Sequence, residues 1–402
     1  MKSEIISNGH VGMLVHAYYP RDIRVRREAE ALAEAGYQVD VVCLRENNQR
    51  GKKYEPFSEK VNGVHIHRLP FARSRGTMFR YLFEYLGLII LGTWKLTALH
   101  FKNSFQVIHI HNMPDLLILA GLIPKLMGAK LLLDVHDPMP ELYASGYRFR
   151  QNHWIFKILK WQEKLSWRLA QRVISVNETM RENLEGKGIQ PEKIFILHNF
   201  PDTRYLPIKN EITIWPRHKD GFVLLYAGTI TKQYRLDIAV KALALASEHL
   251  PELKLRILGD GNDVDRVIQL AYDLGVEDRV EYLEPVNVDQ LKDIMEDADV
   301  GISSNQGGQF GDLQFCAKIL DYLTQGLPVI SSRTKTISRY IPEDTLFYFE
   351  PENAEDMAKQ IIEIWKRPDL VRRKMEQARK LFPLYTWQIE KYKLIHFYQE
   401  LI

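Results

Sequence analysis

Short apolar runs alternate along this chain with longer segments in which apolar residues recur every three or four positions. The runs predict buried strands, and the recurring pattern predicts helices with one apolar face. In the first half of the chain, strands are predicted at 12–16, 39–44, 64–69, 105–111, 130–135, 172–176 and 194–197. Helices are predicted from Asp22 and at 116–127, 155–170 and 179–185, with a charged loop at 48–62. Strands that alternate with helices are typical of a doubly wound α/β domain.

The pattern restarts after a segment rich in Pro and turn-forming residues at 198–207, which is predicted to be a linker. Strands are predicted at 222–227, 253–258, 280–283, 300–303 and from Val329, and helices at 264–274, 289–295, 353–365, 371–381 and 386–402. We therefore predict two Rossmann-like domains, at 1–200 and 201–385. The last helix is rich in aromatic residues, so we expect it to pack back on the first domain.

The segment 310–332 combines a predicted helix with a strand. Asp312 is predicted to cap the start of this helix, and Gly326 to end it. Lys318 and Asp321 lie three residues apart on the predicted helix, away from its apolar face. A cation beside a helix start favours an anionic ligand, and a nearby acid accepts hydrogen bonds from sugar hydroxyls. The alternative is a surface Lys–Asp pair.

Composition narrows the function. The 402 residues carry a formal net charge of +3, which is too balanced to indicate a nucleic-acid partner. Cys43 and Cys316 both lie in apolar stretches, so buried thiols are expected rather than a disulfide. The first ten residues are polar, which predicts no secretory leader and a cytoplasmic protein. The apolar segment 81–99 is interrupted by Glu84 and Lys95, and we expect a buried or membrane-surface helix there rather than a span.

Several motifs together resemble the family-4 retaining glycosyltransferases of the GT-B fold, over nearly the whole chain. They are RDIRVRREAEALAEAGYQVDVVC, VIHIHNMPDLL, LLLDVHDPMPELY, YAGTITKQYRLD, LRILGDGND and AKILDYLTQGLPVIS. The first and third look most like members that build exopolysaccharide or cell-surface glycans. The resemblance implies two domains facing a cleft, with a nucleoside diphosphate sugar held by the second and a glycan acceptor by the first. It also implies that neither a metal nor a cofactor is needed.

The resemblance also implies roles for residues at matching positions. The catalytic residues would be Lys232, Lys318 and His136, with Asp22 and Arg24 on the acceptor side. The donor-binding residues would be Gly228, Thr229, Arg235, Gly259, Pro285, Val286, Asp312, Leu313 and Asp321. Arg235 competes with Lys232 for the role of loop cation, and His136 has the alternative of a structural histidine at a strand end.

This sequence departs from the family pattern at the first acid of its signature motif, where Leu313 stands. Asp312 is adjacent and is one replacement; backbone amides of residues 312–315 are another. The second acid is Asp321, which is shorter than the usual Glu. These departures leave open the identity of the sugar, as well as two rival functions. One is a nucleotide-sugar epimerase or hydrolase, and the other is a non-catalytic partner subunit.

Two further patterns bear on partners. His109 and His111 share one face of a strand, and two histidines alone indicate core or cleft residues more often than metal ligands. Arginines and aromatic residues are mixed in two segments, and the helix at 155–170 is basic with three Trp nearby; the arginines are Arg73, Arg75, Arg80, Arg148 and Arg150. Such segments favour an anionic membrane surface, with ordinary surface charge as the alternative. A lipid-linked acceptor and a peripheral position on the inner face of the membrane would follow.

Overall fold

The structure is a computed structural model that describes residues 9–46, 55–71, 78–146, 154–209, 221–286 and 288–402. The chain forms two compact units. The first comprises the residues up to His198 together with Glu390–Ile402, and the second is Asn199–Ile389. Arg73, Arg75, Arg148 and Arg150 lie outside the described residues, as does the side chain of Arg80.

The first unit is built on an eight-stranded sheet in the order β3-β4-β2-β1-β5-β6-β7-β8. Its strands are β1 (His10–Tyr18), β2 (Gln38–Leu44), β3 (Ser58–Val61), β4 (Val64–Leu69), β5 (Val107–His111), β6 (Lys130–Val135), β7 (Arg172–Ser175) and β8 (Ile194–Ile196). All pairs are parallel except β3 with β4. The loop prediction for 48–62 is therefore wrong at β3. Asn62 and Gly63 both have positive φ, as a tight hairpin turn requires, and they mark this hairpin in the sequence.

The helices of the first unit cover both faces of this sheet. They are α1 (Ile23–Glu34), α2 (Met78–Asn103), α3 (Leu122–Leu126), α4 (Met139–Gly146), α5 (Trp154–Leu169) and α6 (Glu178–Gly186), with 3-10 helices at Asp115–Gly121 and Pro191–Lys193. The single helix predicted at 116–127 is thus a 3-10 turn followed by a short α-helix. Among the described residues, no helix is both long and apolar enough to cross a membrane.

The second unit has a six-stranded, fully parallel sheet in the order β11-β10-β9-β12-β13-β14. Its strands are β9 (Phe222–Ala227), β10 (Leu253–Leu258), β11 (Val280–Leu283), β12 (Val300–Ser303), β13 (Val329–Ser332) and β14 (Phe347–Phe349). The helices are α7 (Leu236–Ser247), α8 (Val264–Asp273), α9 (Val288–Glu296), α10 (Gly308–Gly311), α11 (Lys318–Thr324), α12 (Lys335–Tyr340), α13 (Ala354–Lys366) and α14 (Pro368–Leu381), with 3-10 turns at Lys232–Tyr234 and Glu277–Arg279. The last helix, α15 (Trp387–Leu401), begins in the second unit and belongs to the first from Glu390 onward.

The structure decides four of the sequence predictions. The two parallel-sheet α/β domains are confirmed, and so is the returning last helix, because α15 belongs to the first unit from Glu390 onward. Cys43 and Cys316 are buried free thiols, as expected. The predicted cap at Asp312 is wrong: α11 begins only at Lys318, and Ala317 precedes it without a side-chain cap.

Each sheet reverses its strand order next to its first strand, between β1 and β5 and between β9 and β12. Parallel α/β sheets bind ligands at the carboxyl ends of the strands at such a reversal point. The candidate residues of each unit lie near its reversal point.

Candidate functional site

In the second unit, glycines let two strand-end loops touch backbone to backbone. Gly228 follows β9 and Gly259 follows β10, and both have φ near +150° (149° and 147°). A Cβ at Gly259 would lie 1.9 Å from the carbonyl oxygen of Gly228, and a Cβ at Gly261 would lie 1.8 Å from that of Ile230. No side chain fits at either position. The loop after β9 is thus held close to the sheet, with Gly228 and Thr229 exposed.

Lys318 places its ammonium group at the end of β9. Its Nζ is buried and has no hydrogen-bond partner among the residues that the structure describes. The nitrogen lies 3.8 Å from the ring centre of Tyr226 and 4.6 Å from that of Tyr234. A Cβ at Gly228 would come within 3.1 Å of this nitrogen. Burial lowers the pKa of Lys318 from its ordinary value, because the charged form is deprived of water.

Three tyrosines around Lys318 hold the loop in place, and sequence reasoning assigned them no role. The hydroxyl of Tyr226 donates to the carbonyl of Thr229 at 2.5 Å. The hydroxyl of Tyr322, on α11, accepts from the amide of Ala227 at 2.7 Å. The carbonyl of Tyr234 accepts from Ser304 at 2.7 Å. The rings under the ammonium therefore also fix the backbone beside it.

The structure distinguishes Lys232 from Arg235, the other candidate for the loop cation, by the ion pairs that Arg235 forms. Arg235 forms ion pairs with Asp237 at 2.9 Å and with Glu352 at 2.8 Å. The hydrogen bonds that Arg235 donates to Asp237 and the charges of both acids raise the pKa of Arg235. Lys232 is exposed at the start of the 3-10 turn that follows Thr231. Since Arg235 is already neutralised, Lys232 is the better placed of the two to bind an anion.

The segment before α11 contains Leu313, which stands at the position of the first acid of the family motif, and its neighbour Asp312. Leu313 is buried, 7% exposed, so it is a core residue rather than a ligand. The carboxylate of Asp312 accepts from the amide of Lys335 at 2.9 Å, which ties it to α12. The amides of residues 312, 313 and 314 donate to the carbonyls of residues 308, 310 and 311. Among the four amides expected to contact a sugar, these three are already used.

The remaining donor-side candidates lie at the same end of the sheet. Asp321 is half-buried on the first turn of α11, one turn after Lys318. Pro285 and Val286 are exposed beyond the end of β11, which is two strands away from β9. The structure therefore brings Gly228, Thr229 and Lys318 together and places Pro285 and Val286 farther along the sheet edge.

In the first unit, Arg24 is a buried part of an ion-pair network rather than an open cleft residue. Its guanidinium donates to Oδ1 of Asp134, and its Nε donates to Oε1 of Glu28 at 3.3 Å. The Arg24 side chain is 10% exposed, and the two acids are 1% exposed or less. Asp22 caps α1 by accepting from the amide of Val25 at 3.2 Å.

His136 is oriented by the same carboxylate. Its Nε2 lies 2.9 Å from Oδ2 of Asp134, and Nδ1 of His111 lies 3.1 Å from that oxygen. Burial alone would raise the pKa of Asp134, but Arg24 and the two histidines hold it well below its usual range. Burial and the nearby charge of Asp134 raise the pKa of Glu28 to about 8, against the opposing effect of Arg24. Sequence reasoning missed Glu28, Asp134 and the role of His111, although Asp134 stands in the motif LLLDVHD.

Two protein-family models match the chain, one in each unit. Residues 22–199 match the family model described as glycosyl transferase 4-like domain. Residues 208–381 match the model described as glycosyl transferases group 1. The chain belongs to the GT-B glycosyltransferases. Glycosyl transfer is therefore its reaction class, and the predicted resemblance at the level of the fold family is confirmed.

Individual relatives are distant from this glycosyltransferase. The mannosylfructose-phosphate synthase of Agrobacterium fabrum is 22% identical over 89% of this chain and 81% of its own length. The sucrose-phosphate synthase of Thermosynechococcus elongatus superposes with a TM-score of 0.77 and 18% identity, over 98% of this chain and 99% of the other. Anabaena HepE, in complex with UDP-glucose, superposes with a TM-score of 0.73 and 13% identity, over 98% and 100% of the two chains. At these identities the structural likeness shows the fold alone.

Proposed function

We propose that this glycosyltransferase moves a sugar from a nucleoside diphosphate sugar to a hydroxyl group of a lipid-linked surface glycan, with retention of configuration. The observation that carries the donor half of this proposal is the ammonium of Lys318. It is buried, has no hydrogen-bond partner among the described residues, and lies beside the glycine turn after β9. A buried cation of this kind is costly unless an anion pairs with it. A diphosphate is such an anion.

In this proposal, Lys318 and Lys232 stabilise the charge that develops on the leaving diphosphate. The bond from the anomeric carbon to the diphosphate oxygen breaks as the acceptor oxygen attacks from the same face of the sugar. The acceptor proton passes to the departing phosphate oxygen, so no side-chain base is required. Preformed donors aimed at a developing charge stabilise a transition state because they need no reorganisation during the reaction. No metal ion takes part at the diphosphate, and no cofactor beyond the donor sugar is required.

Asp321 and the strand-end segment at Pro285 and Val286 complete the proposed donor site. Asp321 would accept hydrogen bonds from the ribose hydroxyls, and the segment after β11 would frame the base. Uridine nucleotides are the first to test, because the similar Anabaena structure contains UDP-glucose. His136, held by Asp134, would contact the transferred sugar or the acceptor on the first unit.

The acceptor half of the proposal rests on an apolar surface of the first unit. Helices α2 and α5 both pack against the 3-10 helix Asp115–Gly121, and α3 packs against α2. Large apolar side chains on these helices are exposed: Phe83, Leu86, Ile90, Trp94 and Phe101 on α2, Ile123 and Leu126 on α3, and Trp154, Ile158 and Trp161 on α5. Exposed lysines, Lys157, Lys160 and Lys164, accompany those of α5. Helices that expose aromatic and basic side chains favour an anionic bilayer, where a lipid-linked acceptor would be met.

The donor half is tested by thermal shift with UDP, GDP and ADP and their common sugars, each with and without EDTA. We expect one nucleotide to stabilise the wild type and to keep doing so in EDTA. Lys318→Met should lose this shift and reduce the rate of sugar transfer by about 10²-fold or more. Lys254→Met, at an exposed position on β10, is the matched control and should behave as the wild type.

Two outcomes would turn the proposal toward its rivals. Stabilisation by a nucleotide with no turnover on any acceptor would support a non-catalytic partner, which the buried Leu313 at the acid position favours. Release of free sugar at full speed without acceptor would support a hydrolase. A Lys318→Met protein with an unchanged nucleotide shift would remove Lys318 from the donor site.

A further inference from the structure

We infer that the first unit holds a divalent transition-metal ion between Glu28, His109, His111 and Asp134. These four side chains come from three elements, α1, β5 and β6, that meet where the first sheet reverses its strand order. One ligand atom from each lies within 4.8 Å of all the others. All four residues are at most 1% exposed.

The two carboxylates divide their oxygens between Arg24 and the histidines. Arg24 donates to Oε1 of Glu28 and Oδ1 of Asp134. The other oxygens, Oε2 of Glu28 and Oδ2 of Asp134, lie 4.0 and 3.9 Å from Nε2 of His109. Ligands of one tetrahedral ion, bound at about 2.0–2.2 Å, lie roughly 3.4 Å apart. For these two pairs the separation must shrink by about half an ångström, and for a pair at the 4.8 Å limit of the cluster by about 1.4 Å.

Two of these atoms lack any hydrogen-bond partner among the residues that the structure describes. They are Oε2 of Glu28 and Nε2 of His109, and both are buried. Leaving an acceptor of this kind buried and unpaired is costly, and a cation is the group that satisfies a carboxylate oxygen and an imidazole nitrogen together.

The surroundings of His109 are those of a metal-binding histidine. The hydroxyl of Tyr398 lies 2.8 Å from Nδ1 of His109, so Nδ1 has an oxygen partner and Nε2 remains for the ion. Metal-binding histidines usually donate their second ring N–H to such a partner, which fixes the ring. Arg24 does the same for the two carboxylates.

The ligand set indicates the class of metal. Two imidazoles and two carboxylates suit Zn²⁺ and neighbouring ions, and a full set of four protein ligands in a closed, buried place is typical of a structural site. The ion would fix α1, β5 and β6 relative to one another. Asp134 also bonds to His136, so the ion would help to orient that partly exposed histidine as well. This site is independent of the diphosphate chemistry proposed for Lys318.

The first test is the metal content of the full-length protein from cells grown with added zinc. We expect one zinc per chain by elemental analysis, and visible ligand-field bands in protein from cobalt-supplemented cells. Glu28→Gln keeps the shape of the side chain and removes its charge, and it should lose both signals. His100→Gln, at another buried histidine of the first unit, is the matched control and should keep both.

The rival occupant is a proton on Glu28, and thermal unfolding separates the two. With the metal, stripping zinc with a chelator lowers the melting temperature of the wild type, and added Zn²⁺ raises it again by roughly 5–10 °C near saturation. Glu28→Gln should respond to neither treatment. Zinc-grown wild type that contains no stoichiometric metal, and that melts at the same temperature with chelator and with Zn²⁺, would overturn the inference. A nucleotide-induced shift in that same protein would leave the proposed sugar transfer standing.

Discussion

Gly259 shows how one missing side chain shapes the proposed donor site. Its φ of +147° is one that other residues rarely adopt, and its α-carbon faces the carbonyl of Gly228. The contact sets how far the loop after β9 stands from the sheet. The same loop lies beside Lys318, because a Cβ at Gly228 would come within 3.1 Å of its Nζ.

We expect Gly259→Ala to destabilise the second unit by roughly 2–3 kcal/mol, from backbone strain and overpacking together. Nucleotide-induced stabilisation should fall with it, because the loop must move away from β10. Urea unfolding and the nucleotide thermal shift measure the two effects. Gly275→Ala is the control: φ is +66° there and a Cβ would meet nothing within 4 Å, so only the backbone cost of about 1 kcal/mol remains. Equal losses for both variants would contradict the role of the contact.

A motif in the sequence draws attention to single side chains, but it does not show which residues meet when two strands are aligned. Lys318 and Gly228 stand in recognisable segments. Asp134 was passed over because its meaning depends on the pairing of β5 with β6, which sets it opposite His111. Periodicity predicts that both strands are buried, but it says nothing about which residues of the two strands face each other. The ion pair of Arg24 with Asp134 was equally hidden from the sequence, because Arg24 lies on α1 and Asp134 on β6.

Among the helices, α15 is joined to the first unit by a charged cluster as well as by aromatic side chains. His198 lies 3.3 Å from Glu178 and 3.2 Å from Glu390, and its amide donates to Glu390 at 2.9 Å. Burial alone would lower the pKa of His198, but the two acids raise it above its ordinary 6.5. Burial alone would raise the pKa of Glu390, but His198 and Lys393 hold it below 4.5.

These shifts define a pH window for the last helix. The contribution of His198 is complete below pH 6.5 and is lost as pH rises through its raised pKa. The contribution of Glu390 is complete above pH 4.5 and is lost as pH falls through its lowered pKa. His198→Gln should therefore cost about 1 kcal/mol of unfolding free energy between these values and less at pH 9. Urea unfolding over a pH series measures it.

The control for that series is on the same helix. His396 is 73% exposed and faces Glu400 on the next turn, so His396→Gln should change little at any pH. A loss in His198→Gln that is the same at pH 5.5 and pH 9 would mean that the histidine contributes by packing rather than by charge.

Strands with a clear apolar pattern were predicted close to their observed bounds, even short ones such as β11 and β12, but the polar strand β3 was not. Strand β3 has the sequence SEKV and lies at the sheet edge, so it carries no apolar alternation. Helix α11 is shorter than its apolar pattern suggests. Cys316 is buried as the pattern predicts, but it lies before the first residue of the helix. Asp312 accepts from the first amide of α12 instead of capping α11. In each case tertiary contacts outweighed the local pattern.

At the scale of the whole molecule, the exposed apolar side chains of α2, α3 and α5 indicate an interaction with a partner. Contiguous exposed apolar area on a protein marks an interaction site more often than chance. Leu126, on α3, is 86% exposed, and Trp94 and Trp161 are 67% and 59% exposed. A peripheral membrane protein would use such side chains at the depth of the headgroups.

We expect the protein to float with vesicles that contain anionic lipid at low salt, and to be partly released by added salt. Leu126→Glu should reduce the bound fraction several-fold, because it places a charge in the apolar surface. Leu384→Glu, at a 59% exposed leucine of the second unit, is the matched control and should bind as the wild type. Failure of the wild type to bind anionic vesicles at low salt would exclude the membrane partner.

The hydroxyl of Tyr398 beside His109 has a consequence for the order in which this protein is made. His109 is translated 289 residues before its partner. During synthesis, His109 therefore lacks this partner until the whole second unit has been translated. In a growing chain the first unit therefore lacks α15, which reaches His109 only after the second unit has been made.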